Sequence, residues 1–284
     1  MSGIVRAGLW MSGALVSFLL MAIAGRELSA ELNTFQILFF RSVIGLFFIS
    51  TILCWSGWAQ VKTQKFSLHF IRNIAHYVGQ FGWFYAISLI SLAQVFAIEF
   101  TIPIWTAMLA PFLLSERLSA SRVLVIIIGF VGILIILRPG MVPFEIGAIS
   151  ALIAAVGYAL SHTLTKKLTR SDTPLTVIFY MTAIQLPMGA VPSVLDWTTP
   201  SITMLPWLLV VGVTALSAHY CMARALAHAD AIVVVPMDFM RLPMVALLGL
   251  FFYGEALDPW VLAGAAVILI AITINIVSEH KKQR

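Results

Sequence analysis

Long apolar runs, interrupted by short clusters of charge, proline and glycine, fill this chain from end to end. A helix that crosses the ~30 Å hydrocarbon core of a bilayer needs about 20 apolar residues. On that criterion the runs predict ten transmembrane helices, over residues 7–25, 33–55, 70–90, 93–114, 120–137, 145–165, 174–194, 203–223, 231–252 and 259–277. The breaks carry the chemistry of helix ends. Arg138-Pro139-Gly140 stops the fifth span, Ser171-Asp172-Thr173-Pro174 opens the seventh and Asp258-Pro259 opens the tenth. The longest breaks are about a dozen residues, so no soluble domain fits between the spans. The expected fold class is an all-α membrane protein. Arg6, followed by an apolar run that ends in Ala22-Ile23-Ala24, imitates a cleavable leader. That segment has a counterpart in the second half of the chain, so it is expected to persist as the first span.

Composition agrees with the pattern. Of the 284 residues 61% are hydrophobic and 10% charged, against about 25% charged in a soluble domain. A net charge of +5 invites a nucleic-acid partner, but the placement of the basic residues explains it better. With the N-terminus in the cytoplasm, the cytoplasmic segments hold Arg6, Lys62, Lys65, Arg72, Arg117, Arg122, Lys166, Lys167, Arg170, Arg224, Lys281, Lys282 and Arg284, and the external loops only Arg26 and Arg138. That bias makes both termini cytoplasmic and leaves no call for nucleic acid. Cys54 and Cys221 lie in apolar runs without metal-ligand spacing and read as core or lipid-facing residues.

An internal repeat orders the spans. Shifting the chain by 139 residues brings Glu116, after Phe112-Leu113-Leu114-Ser115, onto Glu255, after Phe251-Phe252-Tyr253-Gly254. The same shift brings Ala86 onto Ala225, Asn33 onto Asp172 and Gly8 onto Gly147. The first five spans fall on the last five, dividing the chain into halves at 1–140 and 141–284. Five is odd, so the second half must insert upside down relative to the first. Carriers built from such inverted repeats hold their substrate near the midplane, between the halves.

Several short motifs occur along the chain: Phe39-Phe40-Arg41, Trp83-Phe84-Tyr85-Ala86, Pro103, Glu116-Arg117-Leu118, Gly129-Phe130-Val131-Gly132 and Gly254-Glu255-Ala256-Leu257. Together they resemble the EamA family of the drug/metabolite transporter superfamily. Their order spans essentially the whole chain, and the first half looks most like the branch that contains bacterial S-adenosylmethionine carriers. The resemblance implies ten helices, solute transport and a bacterial inner membrane. It leaves the solute open.

Ionisable side chains at membrane depth cost about 2.5–3.5 kcal/mol each on insertion scales and are functional candidates by default. Here they are Arg41, Glu99, Asp238 and Arg241. The repeat makes Glu99 and Asp238 equivalent. Asp238 and Arg241 are three residues apart and share a helix face. Depth along the helices, at about 1.5 Å per residue, suggests Arg41 as the partner of Glu99. Two charge pairs are therefore expected at the edges of a central cavity, Arg41 with Glu99 and Arg241 with Asp238, with the two carboxylates as the proton-coupling candidates. The alternative is that both pairs are structural latches. Pro103, Pro236 and Pro243 are hinge candidates, and Pro111 is a further interruption, because proline frees a carbonyl that only a lined cavity can satisfy.

Aromatic and amide groups supply the expected cavity wall. Tyr77, Phe81 and Phe84 form a stripe on the third span, Trp105 follows Pro103, and Tyr158, Tyr180 and Tyr220 sit on the sixth to eighth. Gln80 shares a face with His76 and is equivalent to His219. These polar groups are cavity candidates or hydrogen-bonding glue between helices. His162 has no metal spacing, and no cofactor motif occurs. The fifth and tenth spans, aliphatic and glycine-rich except for Phe130 and Asn275, read as scaffold or as the face of a homodimer.

Three function classes can be weighed on these residues. A secondary carrier for a small organic metabolite is favoured, with a zwitterion such as S-adenosylmethionine suited to a cavity of both charge signs. Amino-acid export and riboflavin-type transport are alternatives. The absence of a Gly-x-x-x-x-Gly-Lys-Ser/Thr motif removes ATP as direct energy source. An enzyme would need a nucleophile–base pair or metal cluster, and a channel a ring of selective groups. The sequence offers neither.

Overall fold

The computed structural model describes residues 3–114, 120–141, 145–168, 171–229, 234 and 237–282. Ser115, Glu116, Arg117, Leu118, Arg170, Pro236 and Arg284 lie outside the described residues, as do the side chains of Arg122, Asn275, Lys281 and Lys282. The helices are α1 (Gly3–Leu28), α2 (Thr34–Ser56), α3 (Phe66–Leu89), α4 (Leu92–Glu99), α5 (Ile102–Leu114), α6 (Ala120–Leu137), α7 (Ile146–Leu168), α8 (Pro174–Leu195), α9 (Leu205–His228), α10 (Arg241–Tyr253) and α11 (Pro259–Lys282), with a short 3-10 turn at Trp58–Val61. No strand forms among the described residues. Among the described residues six segments are long and apolar enough to cross a bilayer: Val5–Leu28, Thr34–Ser56, Leu92–Leu114, Ile146–Leu168, Pro174–Leu195 and Leu205–Ala225. Val123–Leu137, Arg241–Tyr253 and Pro259–Ile274 are shorter apolar helices.

Helix α3 is absent from that apolar set because its polarity is turned inside out. His69, Arg72, Asn73, His76 and Gln80, spaced to fall on one face, are all buried. Phe66, Phe70, Ile71, Ile74 and Val78 on the other face are exposed. Water would favour the opposite arrangement, so this helix is built for an apolar surround. The same holds for the outer faces of α6 and α11, where Leu124, Ile127, Leu134, Leu262 and Ile270 are exposed. Trp55, Trp58, Trp197 and Trp260 are exposed at helix ends, where indole rings favour the headgroup boundary.

The predicted fourth span, 93–114, is two helices. A turn at Phe100-Thr101 separates α4 from α5, two residues before Pro103. Proline at 103 has no N–H for the Glu99 carbonyl, and its ring disfavours helical backbone at Ile102. The chain bridges the gap with tighter bonds, Thr101 N–H to the Ile98 carbonyl at 3.0 Å and Ile104 N–H to the Thr101 carbonyl at 2.9 Å. A matching turn at Phe239-Met240 precedes α10, and there Leu242 N–H reaches the Phe239 carbonyl at 3.2 Å, one residue before Pro243. Pro111, expected to interrupt the span, sits inside α5 without breaking it, as Pro187 and Pro192 do in α8.

Helices pack chiefly in the pairs α1 with α9, α3 with α7, α2 with α8 and α6 with α11, with α5 also on α7 and α4 on α10. Small residues set the closest approaches, as expected where helices associate without water to expel. A side chain at Gly157 would meet the Ala75 carbonyl and the Gly79 amide at 2.8 Å. One at Gly264 would meet the Gly132 carbonyl at 2.7 Å, and one at Gly132 the Gly264 carbonyl at 2.9 Å. The aliphatic fifth and tenth spans thus pack against each other, with their outer faces turned to the surround.

Loops tie the helix ends. On one side the carboxylate of Asp172 accepts from Thr63 and bonds the His69 ring, both at 2.6 Å. On the other, Asn33 caps α2 and donates to the Asp196 carbonyl at 3.0 Å. Nearby, Glu255 pairs with Arg26 at 2.9 Å and accepts from the Leu92 amide that opens α4 at 2.9 Å.

Candidate functional site

A cavity of about 420 Å³ is lined by residues from nearly the whole length of the chain, Phe18 to Ile272, and its volume is within the range of roughly 300–1,000 Å³ usual for small-molecule sites. Its wall includes residues from α1, α2, α3, α4, α5, α7, α9, α10 and α11. The 139-residue shift maps much of this wall onto itself. Gln80 and His219, Trp83 and Met222, Glu99 and Asp238, Phe100 and Phe239, and Ile102 and Arg241 all line it in equivalent pairs. The equivalent rings of Phe100 and Phe239 meet edge to face, 5.4 Å between centroids.

One end of the charge arrangement is closed on itself. Arg241 donates to Glu99 Oε1 at 3.2 Å and to Asp238 Oδ2 at 2.6 Å. Trp83 Nε1 donates to Glu99 Oε2 at 2.8 Å. The Arg241 guanidinium also lies over the rings of Phe18, Phe96 and Phe100 at 4.4, 5.6 and 5.4 Å, an arrangement that stabilises a desolvated cation. Fully ionised, this triad carries one negative charge in excess, and Asp238 Oδ1 is buried without a partner among the described residues.

Arg41 stands apart from it. The expected pair of Arg41 with Glu99 does not form: Glu99 is taken by Arg241 and Trp83, and both α2 and α4 contribute to the wall without their charges meeting. Equal depth along two helices does not fix which faces they turn to each other. Arg41 is 5% exposed and has no hydrogen bond or carboxylate among the described residues, its Nε being fully buried. Leaving a buried polar group unpaired costs about 1–3 kcal/mol, and more for a charge. Gln80, 2% exposed, likewise has neither amide atom paired.

The histidines complete the polar wall. His76, His162 and His219 all line the cavity. His219 donates from Nδ1 to the Ala215 carbonyl at 2.9 Å, which leaves Nε2 as an acceptor in its neutral form. His76 accepts at Nδ1 from Gln185 Nε2 at 3.0 Å. Tyr158 lies edge to His76 and nearly parallel to His162, with interplanar angles of 66° and 22°. No group of three metal-ligating side chains occurs among the described residues.

Of the residues singled out in the sequence, Arg41, His76, Gln80, Phe84, Glu99, Pro103, Tyr158, His219, Asp238 and Arg241 line the cavity. Tyr77, Phe81, Trp105 and Tyr220 do not. Tyr77 donates to the Met188 carbonyl at 3.1 Å and ties α3 to α8. Phe81 packs on Phe35 and Tyr85. Trp105 bonds Thr101 and packs on Phe130, and Tyr220 is 56% exposed beside Trp10. Pro243 lies within α10, off the wall. The sequence reading passed over Phe18, Trp83, Phe100, His162 and Phe239 as wall residues. The repeat shift itself, which pairs Phe100 with Phe239 immediately after the two carboxylates, was the available signal for those two.

Comparison with known proteins places this geometry. The model of the EamA-like transporter family matches twice, at residues 5–138 and 145–277. An S-adenosylmethionine uptake transporter of Rickettsia bellii is 27% identical, over 96% of this chain and 94% of its own. A riboflavin transporter of Brucella anthropi is 29% identical over 82% and 84%, and a pseudopaline exporter of Pseudomonas aeruginosa 26% identical over 90% of each. A crystal structure of a protein 17% identical has the same fold, with a TM-score of 0.66 over 98% of this chain and 99% of that one. The chain belongs to the EamA-like transporter family, and it is a multi-pass membrane transporter rather than an enzyme.

Proposed function

We propose that this protein is a secondary carrier that moves a small zwitterionic metabolite, of which S-adenosylmethionine is the representative, across a bacterial inner membrane by alternating access. The observation that carries this reading is the separation of charge in one cavity: a guanidinium, Arg41, without a counter-ion among the described residues, and a triad with one negative charge to spare. A carboxylate on the solute satisfies Arg41 through charge-assisted bonds. An ammonium or sulfonium group is attracted to Asp238 and Glu99. An uncharged riboflavin-like solute would leave Arg41 unpaired, and that counts against it. The relatives named for S-adenosylmethionine uptake support the same class of solute.

The transport cycle follows from the repeat. Ten spans in two inverted five-helix halves, 1–140 and 141–284, are supported by the double match of the family model. The pairing of helices supports them too: under the 139-residue shift α1 with α9 becomes α7 with α3, while α2 with α8 and α6 with α11 map onto themselves. The breaks after Glu99 and Asp238 act as equivalent hinges, at Pro103 and Pro243. Both termini lie in the cytoplasm, by the placement of Lys and Arg. Glu99 and Asp238 are the membrane-buried carboxylates available to carry a coupling proton, since protonating one leaves Arg241 neutralised by the other. One chain encloses a complete site, so a homodimer is not required for transport.

Equilibrium binding to the purified protein tests the charge assignment. S-adenosylmethionine is expected to bind the wild type, and Arg41→Gln to weaken it by at least about tenfold, the value of a lost charged hydrogen bond. Equal affinity in the two proteins would remove Arg41 from the site.

A further inference from the structure

The same cavity holds a second unpaired group of different chemistry. Gln80 is buried, lines the wall, and has both its amide oxygen and its amide nitrogen without partners among the described residues. A primary amide presents one acceptor and one donor side by side, and neither is used to hold helices together here. Its repeat equivalent, His219, is anchored to the Ala215 carbonyl, and the nearby Gln185 is anchored to His76 and Asn73. Gln80 is the free amide of this wall.

Its surroundings are flat. Helix α3 passes so close to Tyr158 that a side chain at Gly79, the neighbour of Gln80, would meet the ring at 2.8 Å. One turn along α3, His76 sits edge-on to the same ring at 5.5 Å. His162 stacks roughly parallel to the same ring, 6.2 Å between centroids and 22° between planes. A free donor–acceptor pair therefore borders an aromatic wall.

We propose that Gln80 recognises a planar nitrogen heterocycle on the solute, one that presents a hydrogen-bond donor beside an acceptor, as the amino edge of a purine does. The heterocycle lies along Tyr158, and the amide oxygen accepts from its exocyclic amine while the amide nitrogen donates to N7, the adjacent nitrogen of the five-membered ring. This is the bidentate geometry by which glutamine and asparagine side chains read adenine. The inference rests on the zwitterion reading above and narrows it: the solute is an amino-acid zwitterion that carries such a base, with Arg41 and the Asp238 end holding the charges and Gln80 choosing the base.

Competition for exchange in proteoliposomes of the full-length protein tests it, with S-adenosylmethionine and S-methylmethionine as probes. Both are sulfonium zwitterions, and only the first carries a base. The wild type is expected to prefer S-adenosylmethionine, and Gln80→Leu to lower that preference roughly tenfold to a hundredfold, the range for one bidentate pair. The 7-deaza analogue of S-adenosylmethionine, which lacks the ring acceptor, is expected to bind the wild type several-fold more weakly, and this needs no variant to fold. An unchanged preference in Gln80→Leu, or an undiminished 7-deaza analogue, overturns the assignment. A wild type that carries S-methylmethionine as well as or better than S-adenosylmethionine overturns the inference and leaves the zwitterion reading standing. A wild type that carries neither overturns both.

Discussion

Arg41 and Arg241 give the same signal in the sequence, a lone arginine in an apolar run, and the fold treats them differently. Arg241 is held by two carboxylates and faced by three aromatic rings, while Arg41 has no hydrogen-bond partner among the described residues. The pairing of Asp238 with Arg241 could be read from their spacing on one helix. That of Glu99 could not, because it depends on how α4 and α10 pack. At this scale the carboxylates divide the work. Of the two proposed coupling carboxylates Asp238 is the better placed, with one oxygen unpartnered among the described residues. Asp238→Asn is expected to weaken solute exchange, because the solute's positive group loses one of its anchors, and to abolish the response to an imposed pH gradient, measured as uptake into vesicles with and without that gradient. A second prediction concerns the loop before α8. Burial alone would raise the Asp172 carboxyl, but hydrogen bonds from Thr63, His69 and Ser171 outweigh it and hold the group below its ordinary value. Its ionised form then favours the fold above the ordinary carboxylate range, and that contribution drains away as pH falls below about 4 toward the folded value. Thermal melts in detergent are expected to show acid destabilisation that is smaller in Asp172→Asn.

Helices were the most legible feature of the chain, since apolar runs and capping residues are local properties. Their ends moved by several residues, and α9 runs on to His228. The break between α4 and α5 was only half legible. Pro103 and Pro111 look alike in sequence, yet one stands in the first turn after the break and the other is absorbed within α5. Pro103→Ala is expected to leave the protein folded but to slow exchange, by restoring the bond that keeps α4 and α5 in line; stopped-flow or rapid-filtration transport would measure it. The contact of α6 with α11 tests packing instead. Gly264→Leu places a branched side chain where the Gly132 carbonyl stands, and overpacking of this kind costs about 1–3 kcal/mol. A lowered melting temperature, with transport falling in proportion to folded protein, is the expected outcome.

For the whole molecule, the proposed repeat rests on few identities, and its force is that one shift aligns the predicted spans, their loops and the two intramembrane acids. The cavity wall repeats under the same shift, which is what a carrier with two equivalent access states needs. The large aromatic residues were less legible. Tyr77, Phe81, Trp105 and Tyr220 share with true wall residues both their type and their place in apolar runs, and only the rotation of each helix separates them. The central claim is that a zwitterion is exchanged through this cavity, and counterflow measures it most directly. Proteoliposomes preloaded with unlabelled S-adenosylmethionine are expected to accumulate the labelled compound above equilibrium, and those bearing Arg41→Gln to accumulate much less. No accumulation with any zwitterion as its own preload, or accumulation of a neutral solute that is indifferent to Arg41, would contradict the account.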